Sequence, residues 1–266
     1  VNRDAGNTVA DFGEQWVHYS ENRGYYASPE ALLDLFGPLL RREELEGKRI
    51  ADVGAGTGRH VRMLKALGAG RVLALEPSAA FDVLKRNTED LLGVDYLKNT
   101  ADRLPPEGFD LVFCIGVLQF IPDPVPSLMA MGRALAPAGR LFLWVYGAEN
   151  NRLYLALVCP LRAFTTRLPH PVLAALCGGL RLAADIYAAL CRFLPLPMRA
   201  YMRGYFARLD PYSRKLVIYD QLNPRTARYY TREELLEMLR VSGFSDIETY
   251  HRLRHSWSVR ARFTGE

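Results

Sequence analysis

The chain has 266 residues, 49% hydrophobic and 24% charged, with a net charge of +5. That suits one large globular domain, or one domain with a substantial insertion. No uncharged apolar run reaches the roughly 18 residues of a membrane span, because Arg181 and Asp185 cut the longest candidates.

The opening VNRDAGNTVADFG is polar, without the apolar core of a secretory signal, so the chain reads as cytoplasmic. The four cysteines, Cys114, Cys159, Cys177 and Cys191, form no CxxC and read as buried, reduced thiols. The five histidines lack metal-ligand spacing, so no metal is expected. Ser28-Pro29 is a helix cap with a first-turn proline, and Leu32, Leu33, Phe36, Leu39 and Leu40 carry the helical period.

From Lys48 short apolar runs alternate with helices. RIADV, RVLALE, DYLKN, FDLVFCIGV and GRLFLWVY are strands; helices cover Arg59–Leu67, Ala80–Leu92 and Pro126–Ala136. Such strands between helices predict an α/β fold with a mostly parallel sheet covered on both faces. Residues 151–209 are helix-compatible and punctuated by LPHP, CGG and LPLP, which predicts two to four helices. They hold eight arginines and one acid, a net of +7, leaving −2 for the rest. A basic balance confined to one insertion points to a local anionic partner, not a nucleic-acid surface. Thr231-Arg-Glu-Glu234 is a capping box for a helix ending at Gly243, and FSDIETYH and WSVRARF make a final strand pair. The boundaries read as an N-terminal helical segment (1–47), a core (48–150 and 210–266) and a helical cap (151–209).

IADVGAGTGRH, residues 50–60, runs a strand into a glycine turn. Gly54, Gly56 and Gly58 are spaced G-x-G-x-G, and Arg59 stands where a dinucleotide fingerprint has its third glycine. A Walker A loop is absent. Glu76 follows 24 residues after Asp52, placed to accept from ribose hydroxyls. Next come Asn99-Thr100-Ala101-Asp102 and Ile115-Gly-Val-Leu-Gln119-Phe120-Ile-Pro-Asp-Pro. These four motifs, in order, resemble class I S-adenosylmethionine-dependent methyltransferases, especially the ubiquinone/menaquinone-biosynthesis-like small-molecule group. The resemblance covers residues 48–147 and, less specifically, 225–263.

It implies a Rossmann-like, mostly parallel seven-stranded sheet with an α-helical cap insertion, and S-adenosyl-L-methionine as cofactor. Asp52 would meet the cofactor's ammonium, directly or through water. Gly54, Gly56 and Gly58 would let backbone approach, Glu76 beside Pro77 would take the ribose diol, and Thr100, Ala101 and Asp102 the adenine. Ile115 would form the opposite wall, and the N-terminal aromatics, Tyr25 among them, a cover. Thr100 stands where the family often has Asp, and Phe120 where it often has His, which removes a polar group near the transfer position.

Methyl transfer needs a base only for a poor nucleophile. The candidate catalytic residues are His251, His255 and Asp220, each with a structural reading beside the catalytic one. The acceptor reads as a natural product, lipid-like or sugar-containing small molecule, O- or N-methylated, with no nucleic acid. A non-catalytic methyltransferase-like binding protein and an NAD-dependent oxidoreductase are the alternatives. The arginine-rich insertion would be a substrate lid, with a peripheral membrane contact, a homodimer surface or a plain structural lid as its other readings.

Overall fold

The computed structural model describes residues 3–265. Helices α1 (Arg3–His18) and α2 (Pro29–Phe36) precede the sheet. Then come β1 (Arg49–Val53), α3 (Arg59–Ala66), β2 (Arg71–Leu75), α4 (Phe81–Thr88), β3 (Val94–Leu97), β4 (Phe109–Ile115), α5 (Val125–Ala134) and β5 (Leu135–Tyr146). The cap holds α6 (Arg152–Thr165), α7 (His170–Phe193) and α8 (Arg199–Gly204), and α9 (Pro211–Leu222) leads back to the sheet. The chain closes with α10 (Arg232–Val241), β6 (Phe244–Arg252) and β7 (Ser256–Phe263).

The local signals act as their chemistry requires. Ser28 Oγ accepts from the Ala31 amide at 3.2 Å, with Pro29 in the first turn. Thr231 and Glu234 close their capping box at 3.2 and 2.8 Å. The sheet order is β3-β2-β1-β4-β5-β7-β6, antiparallel where β7 meets β5 and β6. β1 pairs in parallel with β2 on one side and β4 on the other. The chain order reverses there, and in such sheets a crevice opens beyond the strands' carboxyl ends. β1 and β4 are almost wholly buried, as strands covered on both faces must be.

Apolar clusters fill both faces of the sheet. A third cluster belongs to the cap. It joins Leu173, Cys177 and Cys191 of α7 to Leu216 and Tyr219 of α9 and takes in Tyr19 and Tyr26 from the N-terminal segment.

Two sequence expectations need correction. CGG does not break the cap: α7 runs through Gly178 and Gly179 as one helix of 24 residues. A Cβ at either glycine would meet nothing within 4 Å, so they cost only helix propensity, about 1 kcal/mol each. By length and composition this helix could cross a membrane, yet only 17% of its most apolar window is buried. Cys159 is exposed, whereas Cys114, Cys177 and Cys191 are buried.

The cap's one acid turns inward. Asp185 accepts from Arg181 at 2.6 Å and from Arg214 of α9 at 2.9 Å, tying α7 to its support. Asp185→Ala would strand two half-buried guanidinium groups. A loss of about 1–3 kcal/mol is expected in urea unfolding followed by circular dichroism; an unchanged midpoint would show that the tie contributes nothing.

Candidate functional site

A cavity of about 350 Å³ opens at the carboxyl ends of β1, β2 and β4. The glycine turn is its floor. Gly54 has φ +76°, and a Cβ there would lie 2.4 Å from Val117 Cγ2, so conformation and space both require glycine. Gly56, at φ +54°, donates its amide to Glu76 Oε2 at 2.9 Å, and Ser78 donates its amide to Oε1 at 2.9 Å. Glu76 is 5% exposed, and each oxygen keeps a lone pair for a further donor. Pro77, Thr100, Ala101, Asp102 and Ile115 also line the cavity.

Asp52 does not itself line the cavity: it lies behind the turn, fully buried, and among the described residues neither carboxylate oxygen has a hydrogen-bond partner. Burial pushes its pKa up to about 7, against the pull of Arg59. A buried acid with no donor fits a cation arriving at this strand end, and the ammonium of S-adenosylmethionine is such a group. Gly58 is the left-handed N-cap of α3 and does not line the cavity. Arg59 does; it donates to the Tyr26 carbonyl at 2.9 Å and lies 3.9 Å over the Tyr26 ring. Its guanidinium and the N-terminus of α3 make this end of the cavity attractive to a carboxylate.

The walls come from farther away. Phe12 and Trp16 of α1 and Tyr26 line the cavity, Trp16 beside Gly56 of the glycine turn. Tyr25 is not among them. Arg208 donates to its hydroxyl at 2.8 Å and sits over its ring, holding it toward the cap. The other end is lined by Phe120, Trp144, Tyr146, Tyr201, Tyr205 and Val217, with Asp220, Gln221, Arg252 and His255 as its polar groups. Of these, only Asp220, Phe120 and His255 had a signal in the sequence. The rest meet only in space, although Arg59 is visible there as the residue displacing a third glycine.

The three candidate catalytic residues separate. His251 lies outside the cavity, its ring stacked on Trp257 at 4.1 Å. Strand register puts it there, because His251 and Trp257 are directly opposed in the β6–β7 ladder. His255 lines the cavity. Asn151 donates through Nδ2 to the carbonyls of Gly147 at 2.7 Å and His255 at 2.8 Å, so its Oδ1 can only accept. That oxygen is 3.2 Å from His255 Nδ1, which must carry the ring proton, leaving a lone pair on Nε2. Burial lowers the His255 pKa to about 4, so the ring is neutral at pH 7. Asp220 is held by Gln15, and burial raises its pKa to about 6.

Sheet order and cradle together define the fold of class I S-adenosylmethionine-dependent methyltransferases. Residues 51–143 match the methyltransferase domain family. The chain is 38% identical over 113 residues to a tRNA U34 carboxymethyltransferase of Alcanivorax borkumensis, covering 40% of this chain and 35% of that protein. It is 34% identical over 121 residues to a ubiquinone biosynthesis O-methyltransferase of Xanthomonas oryzae pv. oryzae, covering 44% and 51%. The chain thus spans between a third and a half of the length of these curated relatives. Among solved structures, an Aquifex aeolicus S-adenosylmethionine-dependent methyltransferase superposes with a TM-score of 0.53 at 15% identity, covering 94% and 97%. Human N-acetylserotonin methyltransferase in complex with S-adenosylmethionine gives 0.54 at 14%, covering 98% and 57%. At such identities these two speak for the fold alone.

Asp52 links binding to protons. Its folded pKa lies above the ordinary 3.8, so unligated stability falls as pH rises from about 4 toward 7. A bound ammonium favours the carboxylate, so S-adenosylhomocysteine binding at pH 6 is expected to release a proton, and at pH 8 none. Calorimetry in buffers of different ionisation enthalpy measures it. Asp52→Asn should abolish the release; if the release persists, another group carries it.

Proposed function

We propose that this chain transfers a methyl group from S-adenosylmethionine to a hydroxyl of a flat, hydroxylated aromatic small molecule. The observation that carries this reading is His255: a neutral imidazole with its Nδ1 proton pinned by Asn151 and its Nε2 free, on the wall of an aromatic-lined cavity continuous with the glycine cradle. The bound cofactor supplies a methyl group already activated on a sulfonium. The protein's part is to orient the acceptor, exclude water and take one proton.

The aromatic side chains of Phe120, Trp144, Tyr146, Tyr201 and Tyr205 suit a planar ring. A phenol is mostly protonated at pH 7, and Nε2 of His255 is the group placed to accept that proton. Asp220, ionised above pH 6, also lines this end of the cavity. The relative named as an O-methyltransferase of ubiquinone biosynthesis supports transfer to oxygen. The relatives named for tRNA U34 are matched over similarly short stretches.

The test offers the full chain a labelled methyl donor with a panel of catechols and polyphenols, and separately with bulk tRNA. His255→Asn should lower kcat at pH 7 by about 10²–10⁴-fold on the phenolic acceptor, with S-adenosylhomocysteine affinity unchanged. An undiminished kcat removes His255 as the base. Label entering tRNA and no phenol overturns the small-molecule reading.

A further inference from the structure

The cap reaches the cavity only through Tyr201 and Tyr205; α6 and α7 do not line it, and each has two unlike sides. Toward the protein, α7 buries Leu173, Cys177, Ala188 and Cys191 against the cap core, and α6 buries Val158, Arg162 and Thr165. Toward solvent, α7 shows Val172, Leu182, Ile186, Leu190 and Phe193, with Ile186 at 65% and Phe193 at 83% exposure. Their spacing follows one helical face, on which the residues between them are alanine and glycine. α6 does the same with Leu153, Leu157 and Phe164, Leu157 being 76% exposed. Both helices pack on α9, so these apolar faces point away from a common support. That reverses the pattern of a helix facing water, and soluble monomers rarely leave so long an apolar stripe uncovered.

Charge identifies what covers it. Arg152 and Arg167 stand at the two ends of α6, Arg192 at the end of α7 and Arg203 on α8. All four are exposed, and none has an acidic partner among the described residues. The segment 151–209 holds no lysine, and its one acid, Asp185, is turned inward on Arg181 and Arg214. Guanidinium groups bind phosphate through paired hydrogen bonds, and an apolar helix face bordered by arginines lies in the headgroup region of a bilayer. A second copy on this face would instead bring two segments of net +7 together. We infer that the outer face of α6 and α7 docks in plane on an anionic lipid surface. α7 lies on the membrane and does not cross it, because its inner face and the Asp185 tie hold it to α9. The inference rests on the cap's outer surface and stands apart from the chemistry assigned to His255.

Flotation of the full chain with lipid vesicles tests it. Binding is expected to phosphatidylcholine vesicles containing roughly a third phosphatidylglycerol, to fall steeply with added salt, and to be weak on phosphatidylcholine alone. Leu157→Glu combined with Ile186→Glu should abolish it, and Arg152→Gln with Arg192→Gln should weaken it about fivefold per arginine. All of these positions are exposed, and unchanged S-adenosylhomocysteine binding confirms that the variants fold. Equal or absent binding to both vesicle types overturns the inference, as does wild-type binding by the glutamate variant. A concentration-dependent dimer in light scattering that Ile186→Glu dissolves would give the face to a second copy instead.

Discussion

The cradle depends on one carboxylate. Glu76, at the end of β2, receives the amides of Gly56 and Ser78, one on each oxygen. Those two bonds fix the glycine turn against the neighbouring strand and keep its backbone open toward the cavity. The amides of Gly54 and Ala55, which follow β1, donate to the Leu75 carbonyl, and among the described residues Asp52 has no donor. Two buried acids so close cannot both be satisfied by the protein, and the charge on Glu76 raises the pKa of Asp52 further. An enclosed anion without a donor destabilises the empty fold and favours any ligand that brings a cation to it. The positive φ of Gly54 and the packing of Val117 against it serve the same opening from the β4 side.

The cap and the N-terminal segment share one apolar core, although about 100 residues of sheet and helix separate them in the chain. Tyr19 and Tyr26 are buried in the cap's own core, and Asn223 of the segment after α9 donates to the Asp11 carbonyl and to Gln15. Gln15 in turn holds Asp220. The helix that lines the cavity beside the glycine turn is thus wired to the carboxylate at the acceptor end.

The sheet was legible because its strands are buried on both faces, which leaves runs such as FDLVFCI with little polar interruption. The cradle was legible because backbone geometry restricts residue type: glycine at positive φ, an acid at a strand end. The acceptor end was not. It is assembled from α8, α9 and the β6–β7 hairpin, and nothing in local spacing says that Tyr201, Tyr205 and Arg252 meet. His251 and His255 looked equivalent in sequence. A strand's alternation commits His251 to Trp257, while the hairpin turn frees His255 to face the cavity. CGG misled because glycine is read as a breaker, yet at a lightly packed surface its cost is small beside the packing of the rest of α7.

The same field argument separates His255 from Asp220 as the proton acceptor. Burial raises the pKa values of Tyr26, Tyr146, Tyr201 and Tyr205, and negative charge on Asp220 adds to it. It acts on a bound phenol in the same direction and so opposes formation of a phenolate. An anion that resists the product of proton transfer is poorly suited to drive it alone. A neutral imidazole brings no negative charge to oppose the phenolate: it gains a positive charge as the acceptor becomes nucleophilic, against the pull of Arg252 and toward the phenolate that forms beside it. Burial lowers the affinity of His255 for a proton when the cavity is empty. The phenolate formed by the transfer stabilises the imidazolium beside it, so the ion pair offsets part of the cost of burial once the proton has moved.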